Sequence, residues 1–252
     1  MITGMMARRI AAAINPIALS IYNKAVSAYD FDGGSGGFLI DSKASNDLTN
    51  NGATQDSTAK IESSLKFTSE TTYATQSSSD FDFLTGSFFI AGWFDINGTT
   101  ISADVGLVGK YRLSGNNRQY SLLQEDGKIK FVVSADGSTF TSAGYASPLT
   151  STGWYFIAAW RDVDDETINV KVYGSAKSSA YFSGSASLFN GSADLTLGRL
   201  DDASVIYANN NNYKIDCLLL GAGVLSNPEL DFLYNSGNGR SFSDIKAMAG
   251  IE

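Results

Sequence analysis

Five consecutive positions concentrate most of the acid chemistry available to this chain: Asp162, Val163, Asp164, Asp165 and Glu166. Retaining hydrolysis of a glycosidic bond needs two carboxylates about 5 Å apart, one to protonate the leaving oxygen and one to attack. Alternate residues of a single strand would present such a pair on one face. Here the acids fall between two alternating apolar runs, where acids and turn formers collect, so the segment reads as a solvated hairpin tip. The chain contains no histidine, which removes the commonest general base and transition-metal ligand, and with it Ser-His-Asp triads and the usual zinc sites. Its one cysteine, Cys217, stands in an apolar run. A small buried side chain is its expected role, and no intrachain disulfide can form. These residues describe a non-enzymatic protein.

Sugar recognition is a second chemistry, combining an aromatic platform with amide and carboxylate partners. Tyr111, Arg112, Asn116, Asn117 and Tyr120 form one candidate group, and Tyr207 with Asn209 to Asn212 another. Asparagine runs also make ordinary surface loops, and spacing alone leaves both readings open. Asn97-Gly98-Thr99 and Asn190-Gly191-Ser192 match the glycosylation acceptor and read as turns, since secretory features are lacking.

The elements that would position these groups are strands. Ser87 to Ile96 carries large apolar residues on both faces, as a central strand covered on each side does. Ile129, Phe131 and Val133 alternate with Lys128 and Lys130, which gives one wet face. Trp154, Phe156, Ala158 and Trp160 line one side of the next strand, with Tyr155, Ile157, Ala159 and Arg161 on the other. Beyond the acidic turn, Ile168, Val170 and Val172 alternate with Asn169, Lys171 and Tyr173 to complete a hairpin. Leu195 and Leu197 continue the pattern. Near the C-terminus Ile215, Cys217 and Leu219 alternate with Asp216, Leu218 and Leu220, and Asp216 interrupts an otherwise apolar row. An acid there lies at a rim or has a partner. Ser226 with Glu229 three residues on is a capping box, Pro228 suits a first helical turn and Gly237 a left-handed stop; Leu225, Leu230, Leu233 and Tyr234 would be the apolar face. Ser243 can cap a last short helix.

Composition agrees with an all-β chain: 25 glycines, 3 prolines and 12% aromatic residues, with Ser, Thr and Asn filling the gaps between apolar runs. The 26 acidic against 18 basic residues argue against a nucleic-acid partner. Residues 1–28 differ from the rest. Arg8-Arg9, an apolar middle and Val26-Ser27-Ala28 share features of a secretory signal, but Asn15, Pro16, Asn23 and Lys24 break the apolar part. The segment is also too short and polar to span a membrane. It reads as an N-terminal docking arm or helix, followed by a sandwich over 29–240 and a short tail helix over 241–252.

The order of these pieces resembles the laminin-G-like, concanavalin-A-like jelly-roll family. The resemblance runs through Tyr29-Asp30-Phe31-Asp32, Leu65-Lys66-Phe67, Ser87 to Trp93, Gln119 to Leu123, Asp126 to Phe131, Gly153 to Trp160, Ile168 to Tyr173, Leu195 to Gly198 and the closing strand and helix, and covers about residues 29 to 240. It implies a two-sheet antiparallel jelly-roll sandwich. Tyr155 and Phe156 depart from the paired histidines usual after the tryptophan, and Ser175 stands where an Asp-Gly turn is common. Members often bind calcium, and the resemblance points to Asp41, Asn46 and Asp216 as ligands, a donor set that suits a hard cation. Asx turns and a bond to a loop backbone account for the same residues equally well. The Glu-x-Asp-x-x-Glu signature of the family's glucanases is missing. Leu233 to Gly239 looks like the jelly-roll modules of bacteriophage virion proteins, which implies a head-decoration or tail-associated chain docked to capsid or tail proteins by residues 1–28, located in the virion, and engaging host-surface glycans. The alternative is a secreted or cell-surface carbohydrate-binding module. A second copy of the chain is a further candidate partner.

Overall fold

A computed structural model describes residues 13–33, 37, 39–69, 71–96, 105–145, 149, 151–201 and 213–251. Two antiparallel sheets form a jelly-roll sandwich. The first is built from β1 (Ala25–Tyr29), β3 (Thr54–Asp56), β4 (Ser64–Phe67), β6 (Phe88–Ile96), β11 (Gly153–Asp162), β12 (Thr167–Val172), β13 (Ser178–Tyr181) and β15 (Tyr213–Ala222). Its order is β13-β12-β11-β6-β15-β4-β3, with β1 also paired to β15. The second comprises β2 (Thr49–Asn51), β5 (Tyr73–Gln76), β7 (Val105–Arg112), β8 (Asn117–Glu125), β9 (Lys128–Val133), β10 (Thr141–Gly144) and β14 (Leu195–Leu197), in the order β10-β9-β8-β7-β14-β5-β2.

Strand alternation decides what each sheet buries. Phe88, Ile90 and Phe94 of β6 enter the core between the sheets with Ile157 and Ala159 of β11, Ile168 and Val170 of β12, and Ile129, Phe131 and Val133 of β9. Each such Phe, Ile or Val contributes roughly 1.5–3 kcal/mol of transfer free energy. The intervening residues of the first sheet, Phe89, Ala91 and Trp93 of β6 and Phe156, Ala158 and Trp160 of β11, form a second apolar layer on its outer side. That layer explains why β6 is apolar on both faces. Arg161 is fully buried, its guanidinium held by the carbonyls of Leu84, Gly184 and Ala186.

Among the described residues, three helices cover the outer layer: α1 (Pro16–Lys24), α2 (Asn227–Tyr234) and α3 (Phe242–Met248). Asn15 caps α1, its side chain accepting from the N–H groups of Ile17 and Ala18, and Ala18 and Ile21 are buried. The Asn15 N–H in turn donates to the Met248 carbonyl at 2.8 Å. The expected boundary at residue 28 is therefore corrected. Residues 16–29 belong to the sandwich body, because β1 completes the sheet and the apolar face of α1 is used on its own chain. The tail helix over 241–252 likewise packs on this body, through Phe242 and Ile245. Residues 1–12, the remainder of the expected arm, lie outside the described residues, as do Asn97 to Thr99, Tyr207 and Asn209 to Asn212. Among the described residues no helix is long and apolar enough to cross a membrane.

Local chemistry holds with small shifts. The Ser226–Glu229 capping box is formed on both sides. The left-handed stop falls on Asn235, at φ 49, with Gly237 at φ 89 just beyond. The cap of α3 is Ser241, whose side chain accepts from the Asp244 N–H, and Ser243 lies inside the first turn. A bulge in β15 follows Asp216, and Cys217 there has φ 47. It resets the alternation: Ile215 shares the inner core with Leu218 and Leu220, while Cys217 and Leu219 face the helices.

Candidate functional site

On the second sheet the outer face is polar along much of β9, as Lys128 and Lys130 require, but it carries an apolar island. Tyr111 of β7, Leu123 of β8, Val132 of β9 and Leu200 beyond β14 are buried together there. They floor a groove of about 180 Å³, open to the surface beside Leu113 and Ser142. Phe140 stands at its edge with 58% of its surface exposed. Glu125 and Lys130, also at the groove, form an ion pair across adjacent strands. An apolar floor, an exposed ring and a few polar groups at the rim are the ingredients of a small-ligand site. The C–H face of a sugar ring fits against such a floor and ring, while the carboxylate, ammonium and hydroxyl accept or donate to its hydroxyl groups.

Of the four residues expected to bind glycan, Tyr111 lines this groove and the other three do other work. Tyr120 is fully buried in the core between the sheets and its hydroxyl donates to the Phe81 carbonyl at 3.1 Å. Burial, then the nearby Asp82, pushes its phenol well above the usual range. A side chain on the inner face of β8 offers no platform to solvent, and strand alternation is the reason. Asn117 is buried; its amide donates to Ser192 Oγ at 2.9 Å and accepts from the Ser192 N–H at 2.9 Å, pinning the segment after β13 to β8. Asn116 occupies the exposed turn between β7 and β8 at φ 51. Sequence spacing missed Leu123, Glu125, Lys130, Val132, Phe140 and Leu200. A signal existed in Leu123 and Val132, which break the polar alternation of their face, and in Phe140, which stands alone in a Ser/Thr run.

The residues expected at a calcium site are divided between two places. Asp41 accepts from the N–H groups of Ala28 and Lys43 through Oδ1 and from that of Asn46 through Oδ2. Asn46 donates its amide to Ser27 Oγ and Asp80 Oδ2. Asp216 instead fixes a different loop, its Oδ2 accepting from the Lys60 and Ile61 N–H groups at 2.9 and 2.8 Å and its Oδ1 from the Cys217 thiol. Burial raises the Asp216 carboxyl to about 7 against the pull of these bonds. Among the described residues no three acidic or cysteine side chains converge on a point where a metal would sit. The acidic run is the β11–β12 hairpin tip: Asp162 Oδ1 accepts from the N–H groups of Asp164 and Asp165, and Glu166 accepts from the Gly184 N–H.

No family model and no curated relative matches the chain. Solved structures do, and its sandwich fold is similar to that of toxin binding domains. The botulinum neurotoxin serotype D ligand-binding domain in complex with N-acetylneuraminic acid matches with a TM-score of 0.70 at 12% identity, over 87% of this chain and 52% of that one. The binding domain of Paraclostridial Mosquitocidal Protein 1 gives 0.69 at 12% over 86% and 53%. The botulinum neurotoxin type C structure, whose cell entry depends on two ganglioside molecules, gives 0.68 at 13% over 86% and 52%. The chain thus spans about half the length of each. At this identity the likeness is one of fold.

Proposed function

We propose that this chain is a non-enzymatic carbohydrate-binding module that engages a surface glycan through the groove on its second sheet. The observation that carries the reading is the placement of Phe140, Tyr111, Leu123 and Val132 as an exposed ring and apolar floor beside the Glu125–Lys130 pair. The ligands named for the similar structures, N-acetylneuraminic acid and ganglioside, support the class of ligand without locating it, since the match covers only about half of each of those chains. Binding of the full chain to an immobilised glycan panel, followed by calorimetry on any sugar retained, tests the reading; no retention on a broad panel would reject it.

Carriage on a bacteriophage particle is the finer proposal. It rests on the resemblance of Leu233 to Gly239 to virion jelly rolls and assigns docking to the segment before α1. Density-gradient purification of particles from a producing culture, with peptide mass spectrometry, tests it. Co-sedimentation supports a virion protein, whereas a chain found only in the particle-free fractions indicates an exported module.

A further inference from the structure

The joint where β1 runs out toward the α3 cap holds a second cavity, of about 300 Å³, lined by Asp30, Phe31, Asp32, Ile40, Glu62 and Ser243 among others. Two of its acids each hold a separate segment. Asp30, 7% exposed, accepts the Phe242 N–H at 2.6 Å through Oδ1 and the Ser243 N–H at 3.3 Å through Oδ2, and so grips the first turn of α3. Asp32 accepts the Ser63 N–H at 2.9 Å and grips the loop before β4. The groups facing them add negative charge: Glu62 from that loop, Asp244 from α3, and Asp216 from β15. Among the described residues no lysine or arginine forms an ion pair with Asp30, Asp32 or Glu62. The nearby Lys60 ammonium lies 4.3 Å over the Trp93 ring, and that of Lys43 lies 3.4 Å over Tyr22.

We infer that this joint is a proton-operated latch, closed when its carboxyl groups are neutral and loosened when they ionise together, freeing the loop before β4 and the first turn of α3. Like charges in a partly buried cavity oppose one another, and with no cation to offset them each ionisation raises the cost of the next. Burial, then Glu62 and Asp30, holds Asp32 at about 6 despite its bond to Ser63, and Asp30 is raised in the same direction, chiefly by burial. A carboxyl raised above its unfolded value, about 3.9 for Asp, gives the folded state extra protons between the two values. Its contribution is complete below about pH 4 and is lost as pH climbs through about 6. The latch therefore tightens in acid, and because Asn15 is bonded to the far end of α3, its state reaches α1.

Hydrogen exchange by mass spectrometry on the full chain at pH 5 and pH 8, corrected for intrinsic rates, tests the latch. Protection of peptides covering 57–63 and 242–249 is expected to fall about tenfold or more between the two, while peptides from β6 and β11 hold steady. Asp32→Asn, which keeps an oxygen for the Ser63 N–H and cannot ionise, is expected to remove most of the fall. Asp165→Asn, on the exposed β11–β12 tip, is expected to leave it intact. Equal protection at both pH values, a fall that survives Asp32→Asn, or one that Asp165→Asn reduces equally would each overturn the latch.

Discussion

Lys24 at the end of α1 and Glu229 in the first turn of α2, more than 200 residues apart, are joined by a two-oxygen ion pair, Nζ lying 2.8 Å from Oε1 and 2.7 Å from Oε2. The same carboxylate accepts from Ser20 Oγ on α1 and closes the capping box with Ser226. One buried acid thus caps α2 and fastens the N-terminal helix to it. Burial pushes the Glu229 carboxyl up, but the bonds from Lys24, Ser226 and Ser20 outweigh it and the net shift is downward.

Replacing Lys24 with Met leaves that buried carboxylate without its cation and is expected to cost about 1–3 kcal/mol, read as a melting temperature lower by several degrees. The pH dependence has a definite sign. A carboxyl lowered in the fold contributes stability above its unfolded value, about 4.3 for Glu, and loses it as pH falls through its folded value. Melting curves from pH 6 to 3 should therefore show a steeper acid loss in the native chain than in Lys24→Met. Parallel losses would sink the assignment.

The groove predicts a separation of binding from stability. Phe140→Ala removes an exposed ring, so it should lower the affinity for any glycan retained on the panel about tenfold or more, as loss of a stacking ring does, with melting changed by about a degree at most. Tyr120→Phe, by contrast, touches only the buried hydroxyl bonded to Phe81 and should leave affinity unchanged while costing about 1 kcal/mol of stability. Calorimetry and thermal melts on the two variants distinguish a groove site from the original Tyr111–Tyr120 grouping.

Asn117 and Ser192 should behave as a structural clamp. Asn117→Ala removes the acceptor of the Ser192 N–H and one of the two donors to its hydroxyl, Arg112 being the other, and is expected to destabilise the fold by about 1–3 kcal/mol. Gly191→Ala should act in the same direction, because a Cβ there would collide with the Asn117 side chain. Denaturant titration of both variants and of the double variant measures this; independent, additive effects would argue against a shared clamp.

Calcium is expected to leave the melting temperature unchanged within about a degree, since the oxygens of Asp41 and Asp216 are already engaged by backbone N–H groups and the thiol, and a ligand that does not bind adds no stability. Melts in calcium and in chelator check this directly. A rise of several degrees with calcium, lost in Asp216→Ala, would restore Asp41, Asn46 and Asp216 as ligands.

The fold was largely legible in the chain because period-two alternation, capping residues and turn formers are local signals. The two-faced apolar pattern of β6, the wet face of β9, the β11–β12 hairpin and the Ser226–Glu229 cap all appear where their residues place them. The bulge at Cys217 was not legible: a one-residue insertion depends on what β6 offers opposite it, and it moved Cys217 and Leu219 to the helical side. The fate of residues 16–29 was equally hidden. An amphipathic segment shows that it needs a partner, and only tertiary packing decided that the partner was the outer face of the chain's own first sheet. The candidate site divides the same way. Residue types suggested sugar chemistry near Tyr111, but Tyr120 points into the core because successive positions on a strand face opposite sides, and Asn117 is taken up by its bonds to Ser192. The groove instead draws on four strands and the segment after β14, and its residues are neighbours only because the sheet lays them side by side.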